Sequence, residues 1–282
     1  AVTDPGDIVL VPDPCYPIFG DGPLLAGARL HYMTLKKGND YLIDFDAIPE
    51  EVARAAKMMV VSYPNNPTTA IAPGWFYEEL IAFAKKYEIA VVHDNAYSEL
   101  AFGMETSGSF LQYPGAKEVG VEFNSLSKTY GLAGARIGFC IGNREIVEKL
   151  TALKSNTDYG MFLPVQKAAI AAITGDQSCV KTTREAYQKR RDCFCEGMTS
   201  IGWKIGKCPA TMFVWAPIPA AYDSSVEFSA RLLDRAGVVV TPGSAFGPSG
   251  EGFVRVALVQ DEEQILRAVE LVRDSHVLDG PV

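Results

Sequence analysis

The chain is poor in the residues that staple a protein or anchor it. Six cysteines in 282 residues, none in a Cys-x-x-Cys pair, are too sparse for a disulfide framework and read as reduced thiols. The three histidines (His31, His93, His276) are scattered, and Cys193 and Cys195, two apart on a predicted helix, face different ways, so no metal is expected. Long apolar runs are missing as well. The longest, such as Ile89 to Val92 and Ala168 to Ile173, fall far short of the ~20 residues that span a bilayer, and no charged segment followed by an apolar one opens the chain. Nor is there a basic run: acidic and basic residues are interleaved to a net charge of -8, which gives no footprint for nucleic acid and no polybasic membrane patch. The expectation is a cytoplasmic protein with small-molecule ligands. Its 48% hydrophobic and 21% charged content is that of a globular chain, and its length predicts two domains.

The first half alternates β-rich apolar runs with helical segments. Ile8 to Val11, Met58 to Ser62, Ala90 to His93, Gly120 to Phe123 and Ile137 to Ile141 read as buried strands, with helical periodicity in Phe76 to Tyr87 and Arg144 to Leu153. This predicts an α/β domain with a mostly parallel sheet, whose ligand sites lie beyond the carboxyl ends of strands. From Pro164 the pattern turns helical, and a charged stretch from about Gln177 to Ser200 could bridge two domains. A smaller α+β unit follows, with strands at Thr211 to Ala216, Val238 to Thr241 and Gly252 to Leu258 and helices at Val226 to Ala236 and Glu262 to Asp274. The boundary is expected near residue 180, giving domains of residues 1–180 and 181–282.

Chemistry gathers in Asn124-Ser125-Leu126-Ser127-Lys128-Thr129-Tyr130-Gly131-Leu132-Ala133-Gly134-Ala135-Arg136, just after a predicted strand. Lys128 is expected in a small-residue loop. A lysine amine forms an imine with an aldehyde when its neighbours lower its pKa, and the hydroxyls of Ser125 and Ser127 can bind a phosphate. Gly131 and Gly134 would let the loop return Arg136 to the same phosphate, where a guanidinium makes bidentate bonds. Taken alone, Ser-x-Ser-Lys reads more simply as an exposed loop lysine. Asp94 closes an apolar strand, where a carboxylate needs a partner, and Tyr97 follows three residues later. By themselves they read more often as a helix cap and a packed aromatic. Asn66, in Ser62-Tyr63-Pro64-Asn65-Asn66-Pro67-Thr68, and Tyr16, in Pro12-Asp13-Pro14-Cys15-Tyr16-Pro17, sit in proline turns. Arg255 stands alone in an apolar strand, costly unless paired, and taken by itself reads slightly better as a structural salt bridge to an acidic neighbour.

In this order and spacing the motifs resemble the class I/II aminotransferases, fold-type I pyridoxal-phosphate enzymes, over essentially the whole chain. Glu122 to Tyr130 and Asp158 to Pro164 are worded most like the LL-diaminopimelate and aspartate aminotransferase branch. The resemblance implies the fold-type I architecture and pyridoxal 5'-phosphate held as a Schiff base on Lys128, which also moves the substrate α-proton. By the same resemblance Asp94 would pair with the pyridine nitrogen, Asn66 and Tyr97 would bind the phenolate oxygen, and Tyr16 would stack on the ring. Ser125, Ser127 and Arg136 would hold the phosphate, and Arg255 the substrate α-carboxylate. It implies ping-pong transfer between an amino acid and a 2-oxo acid, in a homodimer with shared active sites to which Tyr159 to Phe162 would be presented. Carbon-sulfur lyases share the fold and cofactor, and aminotransferase-like domains also serve as cofactor-sensing regulators. Pro242 and Gly243 match the family's loop before the arginine strand.

One family element has no match. Members carry a Gly-containing loop at a helix N-terminus that donates backbone N–H groups to the cofactor phosphate. Nothing before Tyr16 resembles it, and Thr106 to Ser109 lies too late in the chain. Residues 1–7 form a turn leading straight into a predicted strand, so an N-terminal part of a longer protein is expected to precede them. The 282 residues by themselves are therefore expected to hold the cofactor weakly and to turn over slowly or not at all; tight cofactor binding with full activity, in a titration and an assay of this polypeptide, would contradict that expectation.

Overall fold

The computed structural model describes residues 1–104 and 106–280. Strands β1 (Ile8–Asp13), β2 (Arg29–Thr34), β3 (Ala56–Ser62), β4 (Ala90–Asp94), β5 (Gly120–Ser125) and β6 (Gly138–Gly142) form one sheet in the order β2-β1-β3-β4-β5-β6. All neighbours pair in parallel except β5 and β6, which are antiparallel. The central strands are near-continuous Val, Ile and Met runs because helices exclude water from a parallel sheet on both faces. Helices α1 (Ile18–Leu25), α2 (Glu50–Ala55), α3 (Gly74–Tyr87) and the single turn α4 (Ala116–Val119) are the crossovers of this sheet. Helix α3 shows how the packing works. Phe76, Tyr77, Leu80, Ile81 and Ala84 repeat at helical spacing, all buried, and join Met59, Val61 and Val91 in the core.

After β5 comes the one-turn helix α5 (Leu126–Thr129), then β6, α6 (Arg144–Thr157) and α7 (Leu163–Thr174). Helix α8 (Ser178–Ser200) leaves this unit and buries Phe194, Cys195 and Met198 in a second core. That core is completed by β7 (Phe213–Pro217), α9 (Ser225–Ala236), the two-residue β8 (Thr241–Pro242), β9 (Phe253–Ala257) and α10 (Glu262–Asp274). The second sheet is antiparallel, in the order β7-β9-β8. The fold is that of fold-type I: a mostly parallel sheet flanked by helices, and a smaller α+β unit.

Three expectations need correction. Ile137 to Ile141, read as a buried strand, is an edge: β6 spans Gly138–Gly142, with Phe139 and Ile141 exposed, because its apolar side chains have no covering layer among the described residues. Val238 to Thr241 shrinks to Thr241–Pro242, because only these two residues lie against β9, opposite Arg255 and Val254, while Val239 before them is exposed. Strand β2 was not foreseen; its residues alternate only weakly in polarity and just one, Met33, is buried, as befits an edge.

Within the sheet, β5 is seated by a buried polar cluster. Glu122, 2% exposed, accepts from Phe110 N at 2.9 Å, Ser109 Oγ at 3.0 Å and Asn124 Nδ2 at 3.0 Å, and faces His93 Nδ1 at 3.1 Å. Burial alone would raise its carboxyl, but His93 above all, with Asn95 and Ser109, holds it below the usual glutamate range. Close approach at the start of β5 demands glycine: a Cβ on Gly120 would lie 2.5 Å from the Val91 carbonyl oxygen. Gly120→Ala is expected to cost about 1–3 kcal/mol through overpacking, read as a lower urea midpoint with an unchanged denaturant slope.

Candidate active site

The parallel strands end at a common edge, and each delivers one part of the site there. Tyr16 follows β1, Asn66 follows β3, Asp94 is the last residue of β4 with Tyr97 just beyond, and Ser125 ends β5 with Lys128 in the next turn. Because β6 runs antiparallel, with Gly138 opposite Ser125, the residue two before it, Arg136, reaches the same edge. Arg255 comes from the other unit, on β9 between Trp215 of β7 and Thr241 of β8. All of these line one cavity of about 500 Å³, as do Phe19, Ser62, Ala96, Phe123, Asn124, Ala133 and Phe213.

Lys128 is not in a loop. Ser125 Oγ caps α5 by accepting from Ser127 N at 3.2 Å, and the resulting turn carries Lys128 to the cavity wall. The Ser125 hydroxyl proton stays available to a ligand. Lys128 has no hydrogen bond or ion pair among the described residues; its Nζ lies 6.0 Å from the Tyr97 ring centroid. Burial, then the charges of Arg255 and Arg136, hold its pKa below that of an ordinary lysine, with Asp94 opposing. Asp94 is displaced the other way: burial raises its carboxyl above the usual range despite a bond from Ala96 N at 3.0 Å and the nearby Lys128. The neutral amine that this favours on Lys128 is the nucleophilic form.

Asn66 and Asn65 divide the labour of their turn. Asn65 is structural, its Oδ1 accepting from Thr68 N at 3.1 Å and Thr68 Oγ1 at 2.8 Å. That leaves Asn66 to the cavity, after which comes the cis Asn66–Pro67 bond. Tyr97, 8% exposed, packs edge-on against Phe213 at 5.8 Å, and burial raises its hydroxyl pKa. Arg136 has left-handed backbone, φ 52°, and donates to the Ala133 carbonyl at 2.9 Å. Tyr16 is 46% exposed at the mouth and leans on Phe19 at 6.1 Å.

Arg255 decides between its two readings. It donates to Asn66 Oδ1 at 2.9 Å and sits 4.2 Å from the Phe213 ring and 4.5 Å from the Phe246 ring. No carboxylate pairs with it among the described residues, and its Nε is buried without a partner. A guanidinium held this way stays charged and has donors to spare for an incoming carboxylate.

The chain matches the description "Aminotransferase class I and II" over residues 1–272. It belongs to that family. The match fits the site: an amine reactive toward aldehydes, a half-buried carboxylate in the same cavity, amide and phenol donors, and hydroxyls with a guanidinium suit pyridoxal phosphate group by group. The aminotransferase is 48% identical over 270 residues to the LL-diaminopimelate aminotransferase of Moorella thermoacetica, covering 96% of this chain and 69% of the relative. With the enzyme of the same name from Syntrophobacter fumaroxidans it shares 49% identity over 273 residues, 97% and 70% of the two chains. Among solved structures, substrate-bound BacF from Bacillus subtilis superposes with a TM-score of 0.94 at 40% identity, over 97% of this chain and 70% of that one. A probable N-succinyldiaminopimelate aminotransferase from Thermus thermophilus gives 0.91 at 35% identity, over 97% and 73%. The protein is thus a pyridoxal-phosphate-dependent transaminase of amino acids and 2-oxo acids.

Sequence reasoning overlooked Phe213, Phe246 and Asn124. Asn124 lies inside the lysine motif and could have been flagged; the phenylalanines look like ordinary core residues, and no local signal distinguishes them. Removing the Arg255 charge takes away one cause of the depressed Lys128 pKa. Arg255→Met is therefore expected to move the rise in cofactor incorporation to higher pH, and Asp94→Asn to lower pH, in stopped-flow absorbance traces across a pH series; an unshifted or reversed profile would refute this coupling.

Proposed function

We propose that this aminotransferase takes an L-amino acid donor, LL-diaminopimelate above others, and passes its amino group to a 2-oxo acid such as 2-oxoglutarate. The observation that carries the reading is Arg255, a half-buried guanidinium with no acidic partner among the described residues, lining the same cavity as Lys128, which has none either. Choice of donor rests on the two LL-diaminopimelate aminotransferases to which the chain is 48% and 49% identical.

Pyridoxal phosphate, when bound, supplies an aldehyde for the amine and a ring that withdraws electrons from the substrate α-carbon. In our reading Lys128 holds it covalently, and Ser125, Ser127 and Arg136 grip the phosphate. Asp94 accepts the proton-bearing pyridine nitrogen, whose charge offsets the cost of burying that carboxylate. Asn66 and Tyr97 donate to the phenolate oxygen, and Tyr16 covers the ring. Arg255 binds the α-carboxylate and so aims the α C–H bond of the substrate. Freed by the incoming amino group, Lys128 Nζ accepts the α-proton.

We further propose a division into domains of residues 1–180 and 181–282, a cytoplasmic setting, and a homodimer. Support for the dimer comes from Tyr159 and Phe162, apolar yet 91% and 73% exposed on the cavity-bearing unit.

Lys128→Ala is expected to abolish both the absorption band of the lysine-linked cofactor and turnover; retention of either would refute the role of Lys128. Asp94→Ala should slow the proton-transfer step severely with the fold intact by circular dichroism, and near-normal turnover would exclude Asp94 as the pyridine partner. For the substrate, a panel of LL-diaminopimelate, aspartate, alanine and aromatic amino acids against 2-oxo acids decides: the largest kcat/KM should belong to LL-diaminopimelate. Release of ammonia without need of an oxo acid would mark a lyase instead.

A further inference from the structure

Asp13 closes β1 and is 5% exposed, yet the groups facing it belong to a serine rather than to a cation. Its Oδ2 accepts from Ser249 Oγ at 2.6 Å and from Ser249 N at 3.2 Å, across 236 positions of sequence. A buried carboxylate without a countercharge is a poor device for raw stability. Its value lies in what it joins. Two residues on, Cys15 N donates to the Phe246 carbonyl at 2.8 Å, so the loop bearing Tyr16 is tied at two points to the segment 246–249.

That segment has been shaped around the carboxylate. Gly247 has φ 122°, and a Cβ there would lie 2.0 Å from Asp13 Oδ1, so no other residue fits. Its far side is pinned too: Ser225 Oγ reaches Ser244 Oγ at 3.2 Å and Glu251 Oε2 at 3.1 Å at the start of α9. Between the two anchors, Phe246 packs on the Arg255 guanidinium at 4.5 Å and edge-on to Trp215 at 6.0 Å. A path thus runs from Asp13 to Ser249 by hydrogen bonds, along the short segment from Ser249 back to Phe246, and from the Phe246 ring to Arg255, with a second path along the chain from Asp13 to Tyr16.

We infer that Asp13 is a positioning residue that clasps the two units and sets Arg255 against Tyr16, thereby governing capture of the substrate carboxylate. This rests on the reading of Arg255 as the carboxylate ligand. Asp13 and its serine partner touch neither reacting atoms nor cofactor; they act through the loop that backs the arginine.

The test uses the full chain loaded with pyridoxal phosphate and titrated calorimetrically with succinate, a dicarboxylate that cannot react. Ser249→Ala and Asp13→Ala are each expected to weaken succinate by about five-fold or more, and the double variant by no more than the larger single effect, as for one shared bond. Cofactor absorbance should stay within about two-fold of wild type under the same principle of local effect. Asp13→Asn, which keeps an acceptor for Ser249, should recover most of the affinity. In the unloaded chain, amide exchange at Cys15 should quicken in Ser249→Ala, a readout independent of the cofactor. Should Asp13→Ala fail to fold, Ser249→Ala and Asp13→Asn decide. Unchanged succinate affinity in Ser249→Ala, additive effects, or a parallel loss of cofactor would overturn the inference. Arg255→Met separates the two levels: loss of succinate there with none in Ser249→Ala defeats only the clasp, whereas retained binding in Arg255→Met defeats the carboxylate reading and the clasp with it.

Discussion

Parallel strands share a carboxyl edge, and in this protein that edge is where polar groups can end without being buried in the sheet. Strands β1, β3, β4 and β5 carry apolar runs and end polar at that edge, at Asp13, Ser62, Asp94 and Ser125, while the polar pair inside the sheet, His93 and Glu122, is buried and its members bonded to each other. The constraint is register. With Val61 opposite His93, and Ser62 opposite Asp94, a slip of one residue would turn Asp94 to the other face of the sheet. Everything chemical in the molecule depends on that register, because the side chains concerned are too short to reach across a misaligned edge.

At this edge electrostatics are balanced against solvent. Three cations, Lys128, Arg136 and Arg255, meet a single carboxylate, Asp94, in a cavity whose walls also include Phe19, Phe123 and Phe213. Burial acts on both members of the Lys128–Asp94 pair and favours the neutral form of each, while their mutual attraction opposes it. An excess of positive charge suits an anionic phosphate and a carboxylated substrate. The surrounding rings lower the local dielectric and so lengthen the reach of each charge.

The smaller unit contributes Arg255 and the aromatic shelf under it. Its stacked pair, Trp215 and Phe253 at 5.1 Å and 7°, keeps β7 and β9 in register where Trp215 faces Arg255. Bonds between the units run beside the cavity, Asp13 with Ser249, Cys15 with Phe246, and Arg255 with Asn66, and also away from it, where Thr211 N donates to the Leu100 carbonyl and Phe102 N to the Pro209 carbonyl. The bonds beside the cavity couple substrate binding to the relative placement of the two cores.

Much of this was legible in the residues. Apolar runs located the central strands, helical spacing located α3 and α10, and motif order placed Tyr16, Asn66, Asp94, Tyr97, Ser125, Ser127, Lys128, Arg136 and Arg255, all of which line the cavity, because each is carried by a short segment whose chemistry is local. What local patterns could not carry was environment. Ile137 to Ile141 has the composition of an interior strand, and only its place at the end of the strand order exposes it. Arg255 taken alone reads slightly better as a salt-bridge partner, and that no carboxylate among the described residues pairs with it is a property of distant segments packed together. Likewise the Pro-Asp-Pro turn gives no sign that Asp13 will meet Ser249. The sequence by itself determined which groups exist and on which kind of element; the tertiary structure alone decided which charges are left unpaired, since pairing and desolvation depend on neighbours that are remote along the chain.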